Sequence, residues 1–263
     1  MLKNNLVYLL DYISQLKHLV IIPTYNESEN ISQIIEAVLG LPDMDVLIVD
    51  DNSPDGTGDI VEKIKTDQEK DRVHLLRRAG KLGLGTAYIA GFKYALQNRY
   101  DLISEMDADF SHNPKDLLRL RQACKDGADL AVGSRYVEGG GLENWPVSRI
   151  IISRGGSLYV QMLTFMPVKD PTAGFVRYKR EVLEAIDLDR IGFTGYAFQI
   201  EMKYVSWKLG FQITEVPIIF KDREQGVSKM NGGIIKEAVI GVIKLVSRNV
   251  SGYYARQTSP SRS

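Results

Sequence analysis

Cysteine is almost absent. Cys124 is the single one in 263 residues, which excludes an intrachain disulfide and a Cys-rich zinc site. A lone thiol suits the cytoplasm without identifying it, and Cys124, on a helix after Pro114, reads as a packing residue. An excess of charge of either sign is missing too. Lys+Arg and Asp+Glu number 33 each, so the whole molecule exerts no strong pull on nucleic acid. Any anion it binds must be met by cations gathered locally. Long apolar runs are lacking: none approaches the roughly 18 residues a membrane span requires. The richest candidate, IIKEAVIGVIKLV, is broken by Lys236, Glu237 and Lys244. The N-terminal stretch has no small-residue cleavage site of the signal-peptide kind. Internal repeats and low-complexity tracts do not occur. With 44% hydrophobic and 25% charged residues, the composition suits one globular domain of generous size, with at most a small appendage.

From Leu19 onward, apolar runs alternate with amphipathic stretches. LVIIP, DVLIVD, VHLLRR, DLISEMD and DLAVGS read as strands. ESENISQIIEAVLG, GDIVEKIKTDQ, TAYIAGFKYALQN and PKDLLRLRQACKDG read as the helices between them. Continuous apolar strands separated by helices mean a mostly parallel α/β sheet covered on both faces, and in such sheets ligands bind beyond the carboxyl ends of the strands. The second half reads differently. RYVEGGGLENWP is a Gly-rich loop with Trp145 placed at the surface, and its glycines suit either a hinge over a ligand or a plain connector. VSRIIISRGGSLYVQMLTFM is a helix, GYAFQIEMKYVSWKLG an amphipathic helix, ITEVPIIF a strand and KDREQGVSKMNGG a basic loop. A last helix over Ile234 to Val246 is apolar around much of its circumference, so it is either buried or interfacial. The leader, with Leu6, Leu9, Leu10, Ile13 and Leu16 on one helical face, suits docking on the domain or lying on a membrane surface. The division expected is 1–18 for the leader, 19–230 for the main domain and 231–263 for an interfacial helix and polar tail.

The strand exits hold the unusual chemistry. In MDADFSHNP, Asp107 and Asp109 are two residues apart, and in an extended chain such residues point the same way. One or two carboxylates plus phosphate oxygens suit Mg²⁺ or Mn²⁺; a solvated, helix-capping turn is the competing reading. Asp50 ends a strand, where it can accept bonds from a base or a ribose hydroxyl or can serve the following helix cap. PTYNE offers Pro23, Tyr25 and Glu27, an aromatic ring beside a carboxylate, which suits a nucleobase. Gly83, Gly85 and Gly91 lack the dinucleotide spacing and read as a tight turn and close helix packing. Arg135, Arg149, Arg154, Arg223 and Lys229 are either surface charges or phosphate partners. Of the three histidines, His18 and His74 begin strands, at the wrong end of the sheet, and His112 reads as a loop residue.

Together VIIPTYNESENI, VDDNSPDGTGD, KLGLGTAYIAGF, MDADFSHNP and GSRY resemble the GT-A nucleotide-sugar glycosyltransferases of family 2. RIIISRGGS, DPTAGFVRYKREVL, GYAFQIEM and EVPIIFKDREQGVSKM narrow the likeness to the dolichol-phosphate (polyprenol-monophosphate) mannosyltransferases. The resemblance runs from about Leu19 to Val246. It implies the GT-A fold and transfer of mannose from GDP-mannose to a polyprenyl phosphate, with a divalent Mg²⁺ or Mn²⁺. It implies that Pro23, Tyr25, Glu27, Ile48 and Asp50 hold the guanosine end, and that Asp107, Ala108 and Asp109 line the nucleotide. Asp109 and Ser111 would reach the metal. Arg135, Arg223 and Lys229 would meet phosphates, with Arg149 and Arg154 beside the acceptor's. Direct displacement would invert the anomeric carbon, with Asp107, Asp109 and Arg135 at its centre. The lipid acceptor implies peripheral attachment to the cytoplasmic face of a membrane, directly or through an anchoring partner protein. A same-fold transferase using UDP-glucose or a UDP-N-acetylhexosamine is the nearest rival, and a non-catalytic nucleotide-sugar binder the remote one.

Overall fold

The computed structural model describes residues 16–67, 71–195, 197–222 and 241–256. The first strand, β1 (His18–Thr24), sets the plan. Leu19 and Ile21 belong to one hydrophobic cluster and Val20 and Ile22 to the other, and all four are fully buried. A strand apolar on both faces needs cover on both, which helices above and below a sheet supply.

The elements that follow are α1 (Ile31–Leu39), β2 (Met44–Asp50), α2 (Thr57–Asp67), β3 (Val73–Arg77), α3 (Leu84–Gln97), β4 (Leu102–Glu105), α4 (Asp116–Lys125) and β5 (Leu130–Ser134). The second half adds β6 (Gly141–Glu143), α5 (Val147–Thr164), β7 (Val176–Lys179), α6 (Arg180–Ala185), α7 (Ala197–Lys208), β8 (Ile213–Pro217) and β9 (Ile219–Lys221). The main sheet has the order β3-β2-β1-β4-β7-β5-β8, parallel except for β7, which runs antiparallel between β4 and β5. β6 and β9 form a separate parallel pair. The mixed α/β architecture with a mostly parallel sheet is the one expected. At Gly91 an added Cβ would lie 2.6 Å from the Ile21 side chain, so α3 can seat on β1 only through a residue without one.

Several local features differ from what the sequence suggests. β4 stops at Glu105; Asp107 and Asp109 lie beyond it, Asp109 in a bend before Phe110, which is left-handed at φ 58°. An extended chain therefore does not set their common direction. VRYK, inside DPTAGFVRYKREVL, is a central strand; it is short and charged in sequence because Arg177 is wholly buried beside His18, with Nη1 2.9 Å from Nδ1. ITEVPIIF splits between β8 and β9, which serve different sheets. α7 is buried from Ala197 to Ser206, Gln199, Glu201 and Lys203 included, so it is a core helix and not an amphipathic one. The Gly-rich loop is also more tightly held than a hinge: Gly141 opens β6, and a Cβ on Gly140 would come within 2.6 Å of the Ser134 carbonyl.

Among the described residues no helix is long and apolar enough to cross a membrane. Most of the leader (1–15) lies outside the described residues. So do 223–240, which contain Arg223, Lys229 and the first part of the helix expected over Ile234 to Val246. Residues 241–246 are helical, with Val242 and Leu245 in the core and Ile243 exposed.

Candidate active site

The site forms where parallel strands end. Register pairs Thr24 with Asp50 and Asp50 with Arg77 at one level of the sheet. Asp50 is buried. Its Oδ1 accepts the Thr24 hydroxyl at 3.0 Å and the Ser53 hydroxyl at 2.6 Å, and its Oδ2 accepts the Ser53 N–H at 3.1 Å. The loop after β2 is tied again at Asp55, which accepts from the Thr57 hydroxyl (2.6 Å), the Thr57 N–H and the Ser28 N–H. Burial opposes that charge, but these donors outweigh it and hold the carboxyl at about 2. Glu27 N–H donates to the Thr57 hydroxyl, which locks the PTYNE turn to the same loop. Tyr25 is half-buried, with Lys81 Nζ 4.6 Å from its ring centroid. Arg78 and Asp51 make a 3.1 Å ion pair behind them.

The next exit carries the acidic pair. Ala108 is buried, and Asp107 and Asp109 are half-buried. Asp109 Oδ1 accepts the Ser111 N–H at 3.0 Å. The Ser111 hydroxyl is buried and has no hydrogen-bond partner among the described residues, so a buried oxygen beside a carboxylate is left for a ligand to satisfy. Among the described residues no three His, Cys, Asp or Glu side chains cluster as a cage. Mg²⁺ and Mn²⁺ need no such cage when substrate phosphates supply further oxygens, so this donor set fits either ion. His112 is stacked on Phe175, with centroids 4.8 Å apart, and meets Phe220 edge-on at 5.2 Å. Burial pushes its imidazole down to about 4, against the attraction of Asp109. It is a neutral wall of the site, not a proton carrier at neutral pH.

Opposite stands a group of arginines. Arg135 Nε and Nη2 grip the two oxygens of Asp170 at 2.7 and 2.6 Å, and its backbone N–H adds a third bond at 3.0 Å. Burial disfavours both charges, but the mutual pairing prevails, so the Arg135 pKa rises and that of Asp170 falls. The guanidinium lies 5.2 to 5.7 Å from the rings of Tyr136, Phe220 and Trp145. Arg149 stacks on Trp145 at 3.8 Å and pairs with Asp222 at 2.8 Å. Arg154 lies 5.4 Å from Tyr136, whose hydroxyl donates to Ser153 at 2.6 Å. Phe220 borders both halves, touching His112 on one side and Trp145 on the other, while Lys221 N–H bonds the Ser111 carbonyl at 3.2 Å.

The structure thus brings Arg135, Arg149 and Arg154 together around Tyr136 and Trp145, and joins Asp109 and Ser111 to them through β9. Pro23, Tyr25, Glu27 and Asp50 gather at the neighbouring strand ends. Three expectations need correction. Ile48, expected beside a base, is a core residue of β2 with no exposed surface, so its side chain meets only the protein interior. Arg135 is not an outstretched phosphate fork, because Asp170 occupies it. Trp145, expected at the surface, is half-buried under Arg149. Asp170, Tyr136, Phe220 and Lys81 went unremarked as site residues. Only the charge within DPTAGF and the lysine of KLGLG offered a signal for two of them.

Beneath the acidic loop lies a buried polar relay. Gln199 Nε2 donates to Glu105 at 2.6 Å, and Lys203 Nζ donates to the Ala173 carbonyl at 2.6 Å and to Gln199 Oε1 at 3.2 Å. Burial raises the Glu105 pKa and lowers that of Lys203, each restrained by the other's charge.

Comparison with known proteins agrees with this geometry. The Glycosyl transferase family 2 profile matches residues 19–187. Polyprenol monophosphomannose synthase of Mycolicibacterium smegmatis is 48% identical over 225 residues, covering 85% of this chain and 84% of that protein. Undecaprenyl-phosphate mannosyltransferase of Micrococcus luteus is 49% identical over 227 residues, 86% of this chain and 92% of that one. Among solved structures, glucosyl-3-phosphoglycerate synthase of Mycobacterium tuberculosis, in complex with Mn²⁺ and UDP-glucose, superposes with a TM-score of 0.60 at 15% identity, over 94% of this chain and 88% of that one. A mannosyltransferase of Pyrobaculum calidifontis in complex with GDP-mannose and Mn²⁺ gives 0.53 at 15% identity, over 86% of this chain and 61% of that one. At that identity the two structures speak for the fold alone, which is GT-A, whereas the sequence matches reach the family. The chain belongs to glycosyl transferase family 2 and is a glycosyltransferase.

Proposed function

We propose that the enzyme transfers mannose from GDP-mannose to a polyprenyl phosphate with inversion at the anomeric carbon. The observation that carries this reading is the placing of the half-buried Asp109 carboxylate and the buried Ser111 hydroxyl across Phe220 from an arginine group. Such a site faces two phosphate-bearing substrates at once. The relatives named for polyprenol and undecaprenyl phosphate support the acceptor.

Tyr25 offers a ring for the base, and Pro23, Glu27 and Asp50 the surrounding polar and steric frame. Asp107 and Ala108 line the nucleotide. Asp109 and Ser111 would hold Mg²⁺ or Mn²⁺, whose charge would stabilise the departing diphosphate. Arg149 and Arg154 receive the acceptor phosphate, assisted by Arg223 and Lys229 from outside the described residues. Arg135, neutralised by Asp170, positions Tyr136 and Trp145 beside that phosphate. The acceptor needs no general base: the second pKa of a phosphomonoester is about 6, so at neutral pH it is already a nucleophilic dianion. The residues' task is to let two anions approach. The membrane-borne acceptor places the enzyme peripherally at the cytoplasmic face, where nucleotide sugars are available, with or without an anchoring partner protein.

Thermal shift with Mn²⁺ tests the donor. GDP-mannose should raise the midpoint more than UDP-glucose or UDP-N-acetylglucosamine at equal concentration. Radiolabelled mannose should then appear in the organic phase with polyprenyl phosphate. A larger shift and a labelled lipid with a UDP-sugar would transfer the assignment to the rival donor.

A further inference from the structure

One turn of α7 reaches both sides of the site from beneath. Gln199 and Lys203 are four residues apart and so share a helix face. Both are buried, Lys203 without any exposed surface. Gln199 Nε2 holds Glu105 Oε2 at 2.6 Å. Glu105 is the last residue of β4, and Met106 N–H bonds the Ile21 carbonyl at 3.1 Å, so the chain has no slack before Asp107. Lys203 Nζ grips the Ala173 carbonyl at 2.6 Å. Ala173 closes the turn that begins at Asp170, its N–H on the Asp170 carbonyl at 3.2 Å. That turn holds Arg135 through the Asp170 carboxylate and through Thr172 Oγ1, which accepts from Nη2 at 2.9 Å. The two ties are joined to each other. Lys203 Nζ also donates to the Gln199 carbonyl and to Gln199 Oε1, both at 3.2 Å, so its three N–H groups are all used. Glu201, on the same helix, turns elsewhere: its carboxylate accepts the Gly192 and Phe193 N–H groups and the Tyr254 hydroxyl.

Stability alone does not account for this set, because apolar residues of the same size commonly serve a core as well as a buried acid and lysine do. What the set supplies is a fixed spacing. We propose that Gln199 and Lys203 are positioning residues for the transfer: their bridge sets the gap between the acidic loop after β4 and the Arg135–Asp170 side, and with it the alignment of the donor's anomeric carbon with the acceptor phosphate. The inference rests on the reading of the site as one that brings two phosphate-bearing substrates together, and adds what fixes their separation. Both side chains act from the interior through Glu105 and Ala173. Each half of the site is built from its own ties, so each substrate is bound with or without the bridge. The bridge matters when the two substrates must meet, where an error of about 1 Å in placement costs about 10²-fold in rate.

The experiment compares the full-length parent with Gln199→Leu, Lys203→Met and a control, Met202→Ala, whose side chain lies in the hydrophobic core on the same helix. Nucleotide sites are counted by titration with GDP in Mn²⁺, melting points are taken, and mannose transfer to polyprenyl phosphate is expressed per counted site. Gln199→Leu and Lys203→Met lower kcat per site about 10²-fold. Their GDP affinity and both KM values stay near the parent's, the pattern of an arrangement felt only in the transition state. Met202→Ala lowers the melting point and leaves kcat per site unchanged. Parental kcat per site in both bridge variants overturns the proposal. So does an equal fall in Met202→Ala, which would make kcat a measure of core packing. Loss of nucleotide sites in step with the melting point, with kcat per remaining site intact, assigns the bridge to the fold, as does failure of both bridge variants to fold. A parent that transfers no mannose from GDP-mannose refutes the reading of the donor. The comparison is then run with the UDP-sugar the parent does transfer, counted with UDP, and the same outcomes decide the bridge.

Discussion

The two sides of the site are held together differently. On the carboxylate side most ties are short in sequence: Ser53 to Asp50, Thr57 to Asp55 and Ser111 to Asp109 span two or three residues. On the arginine side they are long. Arg135 meets Asp170 across 35 residues and Arg149 meets Asp222 across 73. A loop closed on itself keeps its shape if a neighbour shifts. The arginine side exists only when distant segments have docked, so it should fail by losing structure where the carboxylate side fails by losing chemistry.

Asp170→Ala offers the sharpest break in that contrast. It leaves Arg135 buried without its counter-charge, which should cost about 3–5 kcal/mol of stability, read as a large fall in the denaturation midpoint. Asp109→Ala should leave the midpoint near the parent's and lower transfer by roughly 10²–10³-fold, the scale of one lost electrostatic contact to a developing charge. If Asp109→Ala unfolds the protein and Asp170→Ala does not, the contrast is reversed.

Acid tests the buried histidines. Burial lowers His18 to about 3, with Arg177 adding to the effect, and lowers His112 to about 4. In the unfolded chain both would titrate near the ordinary 6.5. The unfolded state therefore binds more protons below that pH, and stability falls as pH drops from about 6.5 towards 4. Each such proton contributes a slope of about 1.4 kcal/mol per pH unit. A midpoint flat from pH 6.5 to 4.5 would contradict the buried, neutral placement of both rings. The smallest effect should come from Trp145→Ala. Losing the ring under Arg149 removes about 1 kcal/mol of cation–π attraction, seen as a several-fold rise in KM for the acceptor with kcat and the donor KM little changed.

The same contrast explains what was legible in the sequence. The strand and helix order of the first half, the acidic exit at Asp107–Asp109 and the tight glycine packing at Gly91 follow from local patterns that a linear reading can see. The antiparallel insertion of β7 was not legible, because Arg177 disguises a central strand. Nor was the burial of α7, because Gln199, Glu201 and Lys203 look like a solvent face until Glu105 and Ala173 are placed against them. Arg135 was visible as a cation, but its commitment to Asp170 was not, since nothing local ties the two residues.

The central claim is that Asp109 and Ser111 hold a divalent ion against the donor diphosphate. Its most direct test is transfer of radiolabelled mannose from GDP-mannose to polyprenyl phosphate by the parent enzyme, in EDTA and then with Mn²⁺ restored. No label should enter the lipid phase in EDTA, and label should appear once Mn²⁺ is restored with the parent but not with Asp109→Ala. Undiminished transfer in EDTA, or full recovery of Asp109→Ala with the same Mn²⁺, would contradict it.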